Sequence, residues 1–207
     1  MKKFFFSLFL IIQIHCSAYA VENTQSPIFF LEDLVNEVTS TLKNDLSITK
    51  DHLKMEAYVR NNIIDQFDMS YLTYMIVGEK VWIESKESDR VRLISEISQF
   101  FTHIFAKTLA EYDGKQTLTF DQTSTILNAE NVVLTGKLHD PSDETMPFTF
   151  KVIKVASEWK IYDVNLGGID LINTYKSNFK QIVATGGVAK LADELHKKNQ
   201  TIAAGGN

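Results

Sequence analysis

In the stretch WKIYDVNLGGIDLINTYKSNF, residues 159–179, Asp163 stands among aromatic and branched apolar neighbours. A carboxylate at the wall of an apolar cavity has a raised pKa and can move a proton in an isomerase or dehydratase. The same group can instead accept backbone hydrogen bonds at the start of the following helix, where anionic groups are favoured. The spacing offers Asp163 no second polar partner, so the structural role carries more weight.

Other chemistry is sparse. Beyond residue 20 the histidines are His52, His103, His139 and His196, and no two stand at a zinc-like spacing of three to five residues. His103 reads as a boundary residue on an amphipathic helix. There is no G-x-S-x-G elbow, and the lone Cys16 falls within the first twenty residues. Neither G-x-G-x-x-G nor G-x-x-x-x-G-K-[ST] occurs, and the paired glycines at 167 and 186 read as turns and helix boundaries. No metal or cofactor is expected.

The elements that must position these residues show in the periodicity. Ser26-Pro27 opens a helix whose apolar face is Leu31, Leu34, Val35, Val38 and Leu42. A second helix is expected from about Asp51 to Gln66. A third, capped by Asp68, carries Leu72, Met75 and Ile76 and stops at Gly78. A fourth opens at Ser85 or Ser88, with Val91, Ile94, Ile97, Phe101, Ile104, Phe105 and Leu109 as its stripe and Gly114 as terminator. From Gln116 the period becomes two. Leu118 and Phe120, then Val132, Leu134 and Leu138, then Phe148, Phe150 and Val152, and finally the strand from Trp159 predict a four-stranded antiparallel meander. Gly167-Gly168 ends the last strand; Ile169, Ile172, Tyr175, Phe179 and Ile182 mark a C-terminal helix, and Gly186-Gly187 starts a final one to about Asn199. The expected fold class is α+β, a four-stranded antiparallel sheet covered by several helices.

Lys2 and Lys3 precede an apolar run from Phe4 to Ile14, and Ala18-Tyr19-Ala20 has the small residues of a cleavage site. Residues 1–20 are therefore expected to be a cleaved signal peptide, 21–200 a single domain and 201–207 a flexible tail. A run of about a dozen apolar residues is shorter than the roughly 20 that span a bilayer. Without Lys2 and Lys3 the chain has 19 basic against 26 acidic residues, a formal charge of −7. Such a chain is repelled by nucleic acid and by anionic lipid surfaces, so neither is expected as a direct partner. Export without cysteine pairs suits a bacterial periplasm.

TYMIVGEKVW, the long helix ending in LAEYDGK, and the block from Trp159 to Asn199 resemble the MlaC family, also called the toluene-tolerance auxiliary proteins. Trp159, Tyr162-Asp163-Val164, Gly168, Tyr175, Phe179, Gly187 and Leu191 fall in that family's order and spacing. Asp170 and Lys176 depart from its serine and arginine, and IESKES replaces its usual Thr-Pro helix start. The resemblance implies a periplasmic phospholipid carrier, with acyl chains held between helices and sheet. Its implied partners are an inner-membrane ABC transporter, met through a ring of MCE domains, and an outer-membrane lipoprotein bound to porins. The carrier is expected to act as a monomer.

Two acyl chains represent on the order of 20 kcal/mol against water at about 0.8 kcal/mol per methylene, so such a carrier must replace the bilayer with an apolar cavity. Tails offer no hydrogen bonds, so broad apolar faces suffice. From strand parity the expected lining is Phe150 and Val152 with Tyr162 and Val164, Trp159 and Ile161 being the equally regular opposite choice. The helices add Leu72, Met75, Trp82, Ile97, Phe101, Phe105, Ile172, Tyr175 and Phe179. A proton-moving enzyme acting through Asp163 and a scaffold with a fully packed core are the competing readings.

Overall fold

The computed structural model describes residues 26–121, 125–128, 130–140 and 144–205, so the expected signal peptide lies outside the described residues. Helices α1 (Pro27–Asn44), α2 (Ser47–Lys50) and α3 (His52–Asn62) come first, followed by a 3-10 turn at Ile64–Gln66. Then come α4 (Met69–Val77), α5 (Glu79–Glu84) and α6 (Glu87–Ala110). Strands β1 (Thr117–Phe120), β2 (Thr125–Asn128), β3 (Asn131–His139), β4 (Thr145–Val155), β5 (Glu158–Leu166) and β6 (Ile169–Asp170) form the sheet, and α7 (Leu171–Ala203) closes the chain.

Local signals set most of these boundaries. Asp51 Oδ1 accepts from the Leu53 and Lys54 amides at 3.0 and 3.1 Å, and Asp68 Oδ1 from Tyr71 N at 2.9 Å, each satisfying amides that the first helical turn leaves open. Pro27 sits in the first turn of α1. Four α-helices are expected before the sheet; α2 and α5 are additional short helices, and α3 ends before the 3-10 turn. The buried stripe of α6 runs through Leu93, Ile97, Phe100, Phe101 and Ala106, while Val91 is 62% exposed.

The sheet is antiparallel in the order β1, β3, β4, β5, β6, with β2 also paired to β3. β1 takes the end of β3 near His139 and β2 the end near Asn131, so one edge is filled by two short pieces. The expected four strands are present as β1, β3, β4 and β5; β2 and β6 extend the count to six. Short edge strands limit the unpaired backbone that an edge offers to other chains.

Register shows a bulge that alternation conceals. Lys151 faces Asp163 but Val152 faces Ile161, leaving Tyr162 as the extra residue in β5. Three consecutive residues, Ile161, Tyr162 and Asp163, are therefore buried. Phe150 faces Val164 and Val152 faces Ile161, so one sheet face takes one residue from each parity proposed for β5. Tyr162 itself is buried in the same apolar cluster as Val152; its hydroxyl donates to Asn131 Oδ1 at 2.9 Å and its ring meets Tyr71 of α4 edge-on at 5.2 Å.

Gly136 faces Phe148 across the sheet. A Cβ there would lie 2.2 Å from the Thr119 carbonyl oxygen and 2.4 Å from Phe148 Cζ. Gly136→Ala is expected to cost at least the ~1–3 kcal/mol of an overpacked core, read as a lower urea midpoint with unchanged slope. An unaltered midpoint would show that β1 can move aside.

Val132, Leu134, Val152 and Ile161 join Leu31, Leu72, Ile97, Phe101 and Leu191 in one buried apolar cluster, tying sheet to helices. Each such side chain contributes about 1.5–3 kcal/mol by leaving water.

α7 is two helical arms, 171–186 and 188–203, broken at Gly187 (φ 64°, ψ −157°). The second arm follows α6: Arg92 pairs with Asp193 at 2.6 Å, and Asn199 Nδ2 donates to Glu96 Oε2 at 2.9 Å. It continues through Ala203, so Thr201 to Ala203 are helical where the sequence suggests a tail.

Candidate functional site

Asp163 is 1% exposed and both its oxygens are engaged. Oδ1 accepts from Val164 N at 3.0 Å and from Ile172 N at 3.2 Å, in the first turn of α7. Oδ2 accepts from Lys151 Nζ at 2.7 Å, and the same ammonium reaches Asp170 Oδ2 at 3.4 Å. Asp170 Oδ1 in turn caps α7 at Asn173 N, 2.9 Å away. Burial pushes the Asp163 carboxyl above its ordinary value, while the Lys151 ammonium and the Ile172 amide pull it back. Burial works to lower Lys151, but the Asp163 and Asp170 carboxylates outweigh it and hold the ammonium above its ordinary value. Asp163 thus pins β4, β5 and the start of α7 together, the structural role that its place before a helix suggests. Lys151, twelve positions upstream, is the partner that sequence spacing hides.

The second buried polar group joins α3 to α6. His103, 4% exposed, contacts Glu56 Oε1 through Nδ1, and His52 Nε2 lies 3.3 Å from the same oxygen. His103 is therefore interior, not a boundary residue. Among the described residues no group of three or more metal-ligating side chains could hold a metal.

A groove of about 600 Å³ opens between the two arms of α7, with α6 at its floor. Its apolar wall is Phe100, Tyr175, Phe179, Ile182, Leu191 and Leu195; its rim is Asn178, Glu194, Lys197, Lys198 and Thr201. That volume falls within the roughly 300–1,000 Å³ of small-molecule sites. The aromatic wall interlocks: Phe100 meets Tyr175 edge-on at 5.5 Å, and Tyr175 lies 5.6 Å from Phe179. Behind it, Phe101 meets Tyr175 at 4.9 Å and stacks on Phe105 at 5.8 Å. The groove exists because α7 bends. Gly187 adopts a backbone conformation that a Cβ makes costly, so Gly187→Ala is expected to lose about 1–3 kcal/mol, although no atom stands within 4 Å of the new methyl. Thermal melting checks this; an unchanged Tm would mean that the bend needs no glycine.

The MlaC protein family model matches residues 32–197. The chain belongs to the MlaC family. Among solved structures, a phospholipid-binding protein from Ralstonia solanacearum, determined in complex with a phospholipid, shares the fold at a TM-score of 0.74. It is 23% identical, over 84% of this chain and 96% of that one. No curated protein matches the chain. Among the described residues of this MlaC-family chain, no helix is long and apolar enough to cross a membrane.

Of the lining residues expected from sequence, Tyr175 and Phe179 are on the groove wall. Leu72, Ile97, Phe101 and Val152 are at most 0% exposed, and Tyr162 and Ile172 are nearly as buried. Phe105 backs the aromatic wall. Phe150 and Val164 face each other on the sheet, where Phe150 clusters with Phe120 and Phe148. Met75 and Trp82 lie on α4 and α5, and Trp82 meets Tyr74 at 6.0 Å. The set therefore divides between groove, interior and sheet face. Phe100, Ile182, Leu191 and Leu195 are wall residues that the expected lining omits; the Leu191 to Leu195 spacing of one helical turn was the available signal.

Proposed function

We propose that this MlaC-family protein is a periplasmic phospholipid carrier, exported by a cleaved leader and acting as a monomer. The groove between the α7 arms is the observation that carries the reading. It pairs an apolar wall with a polar rim, as a molecule with hydrocarbon at one end and charge at the other requires. The phospholipid bound to the Ralstonia protein of the same fold supports the cargo. Tails enter against Tyr175, Phe179 and Leu195, and the aromatic layer of Phe101 and Phe105 behind them repacks for chains of different length. Leu72, Met75, Trp82, Ile97, Phe150, Val152, Tyr162, Val164 and Ile172 form the surrounding apolar shell in this proposal.

The carrier exchanges lipid with an inner-membrane ABC transporter through its MCE ring and with an outer-membrane lipoprotein–porin complex, maintaining outer-membrane lipid asymmetry. Its acidic balance keeps it from adsorbing to bare anionic membranes. No bond of the lipid is made or broken in this reading, which leaves Asp163 as a structural post. Solvent extraction of the purified protein followed by lipid mass spectrometry is expected to return phospholipid in stoichiometric amount. Preparations that are empty and also take up none from donor vesicles would defeat the reading.

A further inference from the structure

We infer that the rim of the α7 groove selects its cargo by the phosphodiester charge, with Lys198 and Lys197 holding the phosphate of the headgroup; this rests on the carrier reading. The chain as a whole is acidic, with a formal charge of −5. Yet the groove's mouth carries two ammonium groups and one carboxylate, Glu194. The local balance is positive where the protein's is negative, which favours an anionic group at that spot.

The two lysines are also placed. Lys198 Nζ lies 4.9 Å from the centroid of the Phe100 ring, and Phe100 is part of the groove wall. A cation held over that ring is a positive charge fixed at the border between apolar wall and solvent, where a tail ends and a headgroup begins. Lys197 Nζ, one residue before, lies 3.4 Å from Glu194 Oε1, which limits the directions its long side chain explores. Asn178 and Thr201, both exposed on the rim, add neutral polar groups beside the charges. A phosphodiester carries one full negative charge on two oxygens and suits two ammonium donors, whereas the hydroxyl of an uncharged diacylglycerol gains little from them. The same tails with and without phosphate should therefore be told apart.

The test uses the full-length exported protein, delipidated and incubated with phosphatidylcholine vesicles holding equal amounts of phosphatidylglycerol and diacylglycerol of identical acyl chains. Mass spectrometry of the recovered protein gives the ratio of the two loaded lipids. The wild type is expected to favour phosphatidylglycerol about tenfold, the size that two partly screened ion pairs supply, with the ratio falling as salt rises. Lys197→Gln with Lys198→Gln brings the ratio towards one; Lys176→Gln with Lys180→Gln, on the first arm and off the groove, leaves it at the wild-type value. A wild-type ratio near one, a ratio indifferent to salt, or a double variant at Lys197 and Lys198 that keeps the preference overturns the inference while the carrier reading stands. Loss of the preference on adding millimolar inorganic phosphate assigns the lysines to free phosphate and also overturns it. A wild type that loads no lipid overturns the carrier reading and the inference with it.

Discussion

Asp163→Ala is expected to destabilise the protein by about 3 kcal/mol, the lower end of what removing one partner from a buried ion pair costs. The lower end applies because Lys151 keeps 34% of its side chain exposed while Asp163 keeps 1%. Three groups lose their acceptor at once: the Lys151 ammonium and the amides of Val164 and Ile172. Asp170 retains Lys151 only at 3.4 Å and is already capping α7. Asp163→Asn keeps an oxygen for the amides and is expected to cost less, about 1–3 kcal/mol. Urea unfolding of both variants gives the order, and equal losses would show that the amides, not the charge, dominate. The pH dependence follows from Lys151, whose folded pKa is raised. Its contribution is complete below the ordinary lysine value of about 10.4 and is lost as pH rises through the folded value. The wild-type Tm should therefore fall on the alkaline side more steeply than that of Asp163→Ala, and parallel curves would remove Lys151 from the account.

Why the sequence reveals the role of Asp163 but not its partner is a matter of distance along the chain. Helix faces and caps are local: Asp68 and Gly78 bound α4, and the three-and-four spacing of Ile94, Ile97 and Phe101 marks the core side of α6. Strands announce themselves by alternation, which is why β1, β3, β4 and β5 are legible. The bulge at Tyr162 is not, because an extra residue is defined only against the partner strand, and Ile161-Tyr162-Asp163 alternates acceptably in either register. The ion pair of Lys151 with Asp163 depends on that same cross-strand register. The groove lies further from reach. Gly187 reads as a helix boundary, but nothing local states that the two arms then flank a hollow with Phe100 beneath. Phe100 and Phe101 are adjacent and both buried, and the periodic stripe selects the second, while the first lines the groove.

Ile182→Trp is expected to reduce bound phospholipid to about a tenth or less, a loss of roughly 1.4 kcal/mol or more in affinity. Ile182 lines the groove from the first arm and is only half-buried, so a larger ring there projects into the hollow instead of into the packed interior. The wall on the opposite side, Leu191 and Leu195, is 0% and 2% exposed and offers little room to retreat. Because the added volume fills unoccupied space, the thermal midpoint should move far less than the roughly 1–3 kcal/mol cost of overpacking a closed core implies. Val91→Trp, on an exposed position of α6 away from the groove, controls for the indole itself. The informative comparison is with Val164→Trp, which enlarges the sheet face opposite Phe150. Lipid lost from Ile182→Trp but retained by Val164→Trp puts the tails between the arms of α7. The reverse result puts them against the sheet, beside Phe120 and Phe150, and leaves the α7 groove without a tail. Loss from both, with folding intact, describes one continuous apolar space that reaches from the arms to the strands, which is the arrangement a two-tailed cargo would use most fully.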